Sequence, residues 1–169
     1  MSYSDGEGAD GGVGIALWVP GRRTLAGYLP VPDPVRRLWA RAKKAEAKYL
    51  DIFEVEAVGP ALVLANWGHS IEGMLWLHFI DNESALAALV KGSSSVMLGK
   101  VVTSYTHSMV ARFSLLPWFD RVDSKSNPVD GLSRKKLAGD WDLVPIVFPQ
   151  VLIDKLLRLL DEGPSPPMG

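Results

Sequence analysis

The chain of 169 residues has no cysteine and only three histidines. The first absence excludes disulfides, thiolate metal sites and a cysteine nucleophile, and agrees with an intracellular protein, in cytoplasm or nucleus, rather than a secreted one. His69, His78 and His107 are too scattered for a zinc motif. No excess of positive charge marks the whole chain: net charge is −1, so any grip on nucleic acid has to come from a local patch. The start is polar and glycine-rich, unlike a signal peptide, and no apolar run is long and clean enough to cross a bilayer, so no membrane partner is expected. There is no internal repeat. What is present is a 47% hydrophobic composition, enough for one sizeable core.

The leading residues alternate short apolar segments with turns. A strand around Tyr3 to Asp5 runs into glycines, a second follows over Val13 to Val19, Pro20-Gly21 breaks it, and Arg22 to Val31 returns. Pro30, Pro32 and Pro34 stop further pairing. Asp33 to Tyr49 carries six basic residues and reads either as a short basic helix or as an insertion, with a solvated face or a phosphate-contacting patch as its two interpretations. Helical spacing predicts a helix over Asp51 to Asn66, with Gly59-Pro60 as a defect expected to kink it. The apolar run Met74 to Ile80 predicts a central strand buried on both faces. Helices are expected over Asn82 to Val90 and Val96 to Phe113, a strand over Trp118 to Val122, a turn and short helix over Pro128 to Arg134, and a last helix over Gln150 to Leu160.

This order predicts an α/β fold: a mixed five-stranded sheet, three antiparallel leading strands followed by parallel additions, covered by helices. Residues 1–134 form the expected core, 135–162 a C-terminal extension and 163–169 a disordered tail. The six tryptophans are expected mainly in the core. Ser4 and His78 do not suggest a serine hydrolase, because no nucleophile elbow and no third partner accompany them.

Four acids sit in settings that suit metal ligands: Asp5 and Asp81 at strand ends, Glu56 on the apolar side of a helix, and Asp130 past an Asn-Pro turn. Singly, each has an ordinary explanation. Asp5 suits a turn, Asp81-Asn82 a helix cap, Glu56 a solvent-facing position with Glu54 as its rival, and Asp130 a turn partner. Gathered at one sheet edge, they would hold two divalent cations.

Their contexts resemble the ribonuclease H domain of retroelement polymerases. Tyr3-Ser4-Asp5-Gly6 resembles that family's opening Tyr-Thr-Asp-Gly. Glu56-Ala57-Val58 resembles the helix bearing the second acid, and Phe79-Ile80-Asp81-Asn82-Glu83-Ser84-Ala85-Leu86 the strand end bearing the third. Val122 to Arg134 resembles the V-x-S-x-x-N-P-A-D-x-L-S-R segment with the fourth. The similarity spans roughly residues 3 to 134. It implies a ribonuclease H-like fold and hydrolysis of the RNA strand of RNA–DNA hybrids. It also implies two Mg²⁺ ions, with Mn²⁺ as substitute, and a polymerase polyprotein from which the chain would be excised. Asp5 would bridge the metals, Asp81 and Glu56 would complete the first site, and Asp130 the second. Asn82, Ser84, Ser124, Lys125, Asn127 and Arg134 become candidate nucleic-acid contacts. Two departures stand out. No histidine lies between Trp118 and Asn127, where many members have one, and Gly59-Pro60 falls in a helix that is usually smooth. Alternative functions are a same-fold exonuclease or junction nuclease, and a catalytically weak connection module that binds nucleic acid.

Overall fold

A computed structural model describes residues 1–7, 11–42, 52–133 and 140–161. The expected tail, Arg134 and the basic residues 43–48 lie outside the described residues. Strands β1 (Ser2–Glu7), β2 (Gly12–Leu17) and β3 (Leu25–Pro30) form an antiparallel meander. Helices α1 (Asp33–Ala42) and α2 (Ile52–Trp67) follow, then β4 (Leu75–Ile80), α3 (Glu83–Lys91), α4 (Met97–Arg112) and β5 (Leu116–Arg121). The chain continues through α5 (Asp130–Ser133), β6 (Asp142–Leu143) and α6 (Gln150–Asp161). Among these residues no helix is long and apolar enough to cross a membrane.

The fold is α/β with a mixed sheet in the order β5-β4-β1-β2-β3-β6. The sheet has six strands, not the expected five. β4 runs parallel to β1, β5 to β4, and the added β6 parallel to β3. β6 is only two residues long, and Arg23 pins it by ion pairs to Asp140 and Asp142 at 3.0 Å each.

One sheet face carries the main core. Val13, Ile15 and Leu17 of β2 meet Val55, Val58 and Leu62 of α2, with Val102 and Met109 of α4 behind them. α1 adds Val35, Leu38 and Trp39, and α6 adds Leu152 and Leu156, both fully buried. The elements after residue 139 thus share the core of those before residue 134. The opposite face has a smaller cluster of Ala16, Ala26, Val129 and Leu132, against which Tyr3, Tyr28 and Trp141 pack.

β4 also departs from expectation. Trp76, His78 and Ile80 are buried, while Leu75 is 62% exposed and the row it belongs to is only partly covered. The strand is therefore buried on one face. The open side continues onto β5, where Leu116 and Trp118 pair in register with Leu75 and Leu77 and are themselves exposed.

Gly59-Pro60 has a packing reason. A Cβ at Gly59 would lie 2.3 Å from Ser4 Cβ, and one at Gly6 would lie 2.8 Å from Val55 Cγ1. These two glycines let α2 lie directly on β1, a closeness that any side chain would prevent. α2 runs unbroken through Pro60.

Candidate metal centre

β1 and β4 pair at Ser2↔His78 and Tyr3↔Phe79. The same register carried two residues further sets Asp5 opposite Asp81, just past the last pair. Strand alternation puts Tyr3 and Asp5 on one face, and Phe79 and Asp81 on that same face. Glu56 approaches from α2, one helical turn before Gly59. One carboxylate oxygen from each of Asp5, Glu56 and Asp81 lies within 4.8 Å of the other two. Glu54, the rival acid, is 2% exposed. It lines a different cavity, of about 530 Å³, with Phe53, Ser84, Lys91 and residues 93–96.

The three carboxylates are held differently. Asp5, 4% exposed, accepts a hydrogen bond from Ser133 Oγ to Oδ2 at 2.5 Å. Asp81 is half-buried, and its Oδ2 accepts from Ser124 Oγ at 2.8 Å. Glu56 is 2% exposed. Burial, then the charges of Asp81 and Asp5, push its carboxyl up to about 10, and a hydrogen bond from the Gly6 backbone offsets only part of that. Glu56 also faces Asp81 carboxylate to carboxylate, a contact that attracts only while one of them holds a proton. With both ionised, Glu56 Oε2 and Asp81 Oδ1 are buried oxygens with no donor. Leaving such groups unmade costs about 1–3 kcal/mol each, and more when charged. A cation in the middle would meet both demands. The donor set is all oxygen, the set that Mg²⁺ and Mn²⁺ take.

Asp130 opens α5 and is half-buried. It is outside the group of three but adjoins it through Ser133, whose Oγ lies 2.9 Å from the Asp130 carbonyl oxygen. α5 comes close because β2 is bare there: a Cβ at Gly14 would meet Ser133 N at 2.8 Å. The hydroxyl has one proton, so it serves Asp5 or the Asp130 carbonyl at a given moment.

The candidate nucleic-acid contacts are divided. Ser84 and Lys125 are exposed, Ser84 in the wall of the 530 Å³ cavity. Asn82 Oδ1 caps α3 by accepting from Ala85 N at 2.9 Å. Asn127 is buried, donates from Nδ2 to the Ser4 carbonyl at 3.0 Å and accepts from Val129 N at 3.3 Å, tying the α5 segment to β1. Ser124 is occupied by Asp81. In the sequence Ser133 stands only as one residue of the Val122 to Arg134 segment. Its seat against Asp5 has no local signal, since 128 positions separate the two.

No family model, curated protein or solved structure matches the chain.

Proposed function

We propose that the protein is a divalent-metal-dependent nuclease of the ribonuclease H type, hydrolysing the RNA strand of RNA–DNA hybrids as part of a retroelement polymerase. The observation that carries this reading is the group Asp5, Glu56 and Asp81, with two buried oxygens that lack any donor. The sheet order β5-β4-β1-β2-β3, with an acid past the end of the paired β1–β4 segment, supports a ribonuclease H-like fold. Cations bound there would activate the attacking water and neutralise charge on the leaving oxygen. The chain's own residues fix the donors. Ser133 orients Asp5 and Ser124 orients Asp81. Gly6 and Gly59 bring Glu56 down onto β1. In the loop where many family members carry a histidine, this chain has the short turn Ser124–Ser126, whose first residue is the one bonded to Asp81.

The place of Asp130 outside the group of three favours a second reading, a connection module that binds nucleic acid and cuts it slowly. One experiment separates the two. Labelled RNA–DNA hybrid, DNA duplex and RNA duplex are incubated with the protein in Mg²⁺, in Mn²⁺ and in EDTA. Cleavage of the hybrid's RNA strand, dependent on metal, is expected. Binding of the hybrid with no cleavage in either metal supports the module, and metal-dependent cleavage of the DNA duplex instead points to the same-fold nucleases.

A further inference from the structure

α6 lies outside the stretch that resembles ribonuclease H, and it packs against α4 and α1. Between α4 and α6 runs a groove of about 350 Å³, lined by Lys100, Val101 and Ser104 on one side and Lys155, Arg158 and Leu159 on the other. Lys100 and Ser104 are four residues apart on α4, and Lys155 and Arg158 three apart on α6, so each pair shares a helix face. The groove has three cations and no carboxylate in its lining. Among the described residues none of the three is in an ion pair, although Lys155 Nζ lies 5.9 Å from the Tyr105 ring centre. Asp154, the acid next to Lys155 on α6, accepts from Gln150 Nε2 at 2.9 Å. Three like charges around one groove repel each other unless an anion enters.

One turn back along α4 from the groove lies the 530 Å³ cavity. Lys100 N–H bonds to the Val96 carbonyl at 2.9 Å, one turn back on α4. Val96 lines that cavity, together with Lys91, Glu54 and four serines. Phe53, in the wall of that cavity, is one turn before Glu56 on α2.

We infer that the α4–α6 groove binds the phosphodiester backbone of the nucleic-acid substrate away from the point of cleavage, so that α6 is a handhold added to the nuclease core. This rests on the function proposed above. The test compares wild type with Lys100→Gln/Lys155→Gln/Arg158→Gln, and with the charge-preserving Lys100→Arg/Lys155→Arg/Arg158→Lys. Affinity for a long and a short RNA–DNA hybrid is measured by fluorescence anisotropy against salt, and cleavage of both is followed in Mg²⁺.

Each phosphate contact contributes about 0.9 to the slope of log affinity against log salt on B-form duplex. The glutamine variant should therefore lose roughly 2 to 3 of that slope on the long hybrid, cut the short hybrid at the wild-type rate, and be restored by the charge-preserving variant. Equal slopes for all three proteins overturn the groove, as does an effect confined to phosphatidylserine vesicles used in place of hybrid. If wild type cuts hybrid while the slopes are equal, the groove alone fails. If the slopes differ while nothing is cut, the nuclease reading fails and the groove stands.

Discussion

Two buried polar clusters share strands β1 and β4, and they are built on opposite terms. On the α2 face, Trp76 Nε1 donates to Ser2 Oγ at 2.8 Å, and Ser2 and Ser4 hydroxyls contact the two ring nitrogens of His78 at 2.8 and 3.0 Å. Every polar side-chain atom there has a partner, and the histidine is fully buried and neutral, its pKa lowered to about 3 by burial and then by the N-terminal ammonium. At the end of the same strands, Asp5, Glu56 and Asp81 form the other cluster, three crowded acids with two oxygens that lack donors. A satisfied buried network specifies a packing arrangement. An unsatisfied one at a sheet end persists when its purpose is to receive something. On the function proposed above, the first cluster serves folding and the second serves chemistry.

The largest test of that assignment pairs two substitutions. Asp5→Asn should remove several kcal/mol of transition-state stabilisation, a fall in hybrid cleavage on the order of a thousandfold. Metal-free thermal stability should hold or rise, because one carboxylate is gone from a crowded group of three acids. His78→Phe should do the reverse. It leaves the Ser4 hydroxyl without its partner and Ser2 with Trp76 alone, a cost of about 1–3 kcal/mol for the stranded group, and the fraction still folded should bind Mn²⁺ as wild type does. Calorimetric melting and Mn²⁺ titration on both variants decide it. A His78→Phe protein with native stability, or an Asp5→Asn protein with native cleavage, would erase the distinction.

The same contrast was only half legible in the sequence. The meander, the helices and the candidate acids followed from turn residues, periodicity and the segments similar to ribonuclease H. In β4, however, the apolar Leu75 faces outward and the polar His78 faces inward, the reverse of what hydropathy dictates. A run of Leu, Trp, Leu, His, Phe and Ile shows no alternation because the buried histidine's partners, Ser2 and Ser4, are more than seventy positions away. β6 was invisible because a two-residue strand has no period. Gly59-Pro60 looked like a defect in isolation, and only the contact with Ser4 shows why no side chain fits there. Glu54 and Glu56 are both 2% exposed, so burial did not separate them. Only Glu56 brings its carboxylate to those of Asp5 and Asp81.

A second, smaller effect is in the pH dependence of metal-free stability, where the clusters oppose each other. Folded Glu56 keeps its proton up to about pH 10, against 4.5 for the ordinary carboxyl. Its contribution is complete below pH 4.5 and is lost as pH rises through that window. Folded His78 stays neutral down to about pH 3, against 6.5 ordinarily, so its contribution is present above pH 6.5 and is lost as pH falls towards 3. Each slope is about 1.4 kcal/mol per pH unit. From pH 4.5 to 6.5 they cancel, and above 6.5 the fall due to Glu56 remains. Urea unfolding in EDTA should show a plateau and then a decline. Glu56→Gln should abolish the decline, and saturating Mg²⁺ should flatten it by favouring the ionised carboxylate. A decline unchanged in Glu56→Gln would mean that another group titrates there.

The smallest effects should come from α5, where the candidate metal centre touches a four-residue helix rather than a strand. Ser133→Ala removes the donor to Asp5 Oδ2 and leaves the carboxylate in place. The loss of one hydrogen bond to a charged group is about 1.5–3 kcal/mol, but a bound cation makes up part of it. The effect should therefore appear as a severalfold higher Mg²⁺ requirement with kcat nearly kept. Asp130→Asn acts at the outer side of the centre, beyond the three clustered acids, so it should lose less cleavage than Asp5→Asn and recover in part in Mn²⁺. The two variants differ in what added metal can restore. Ser133→Ala should return to the wild-type rate at high Mg²⁺, because its ligands are complete. Asp130→Asn should level off below it, because a ligand is missing. Mg²⁺ titrations of single-turnover cleavage measure both plateaus. Equal plateaus would place Asp130 outside the chemistry and leave Asp5, Glu56 and Asp81 as the whole centre.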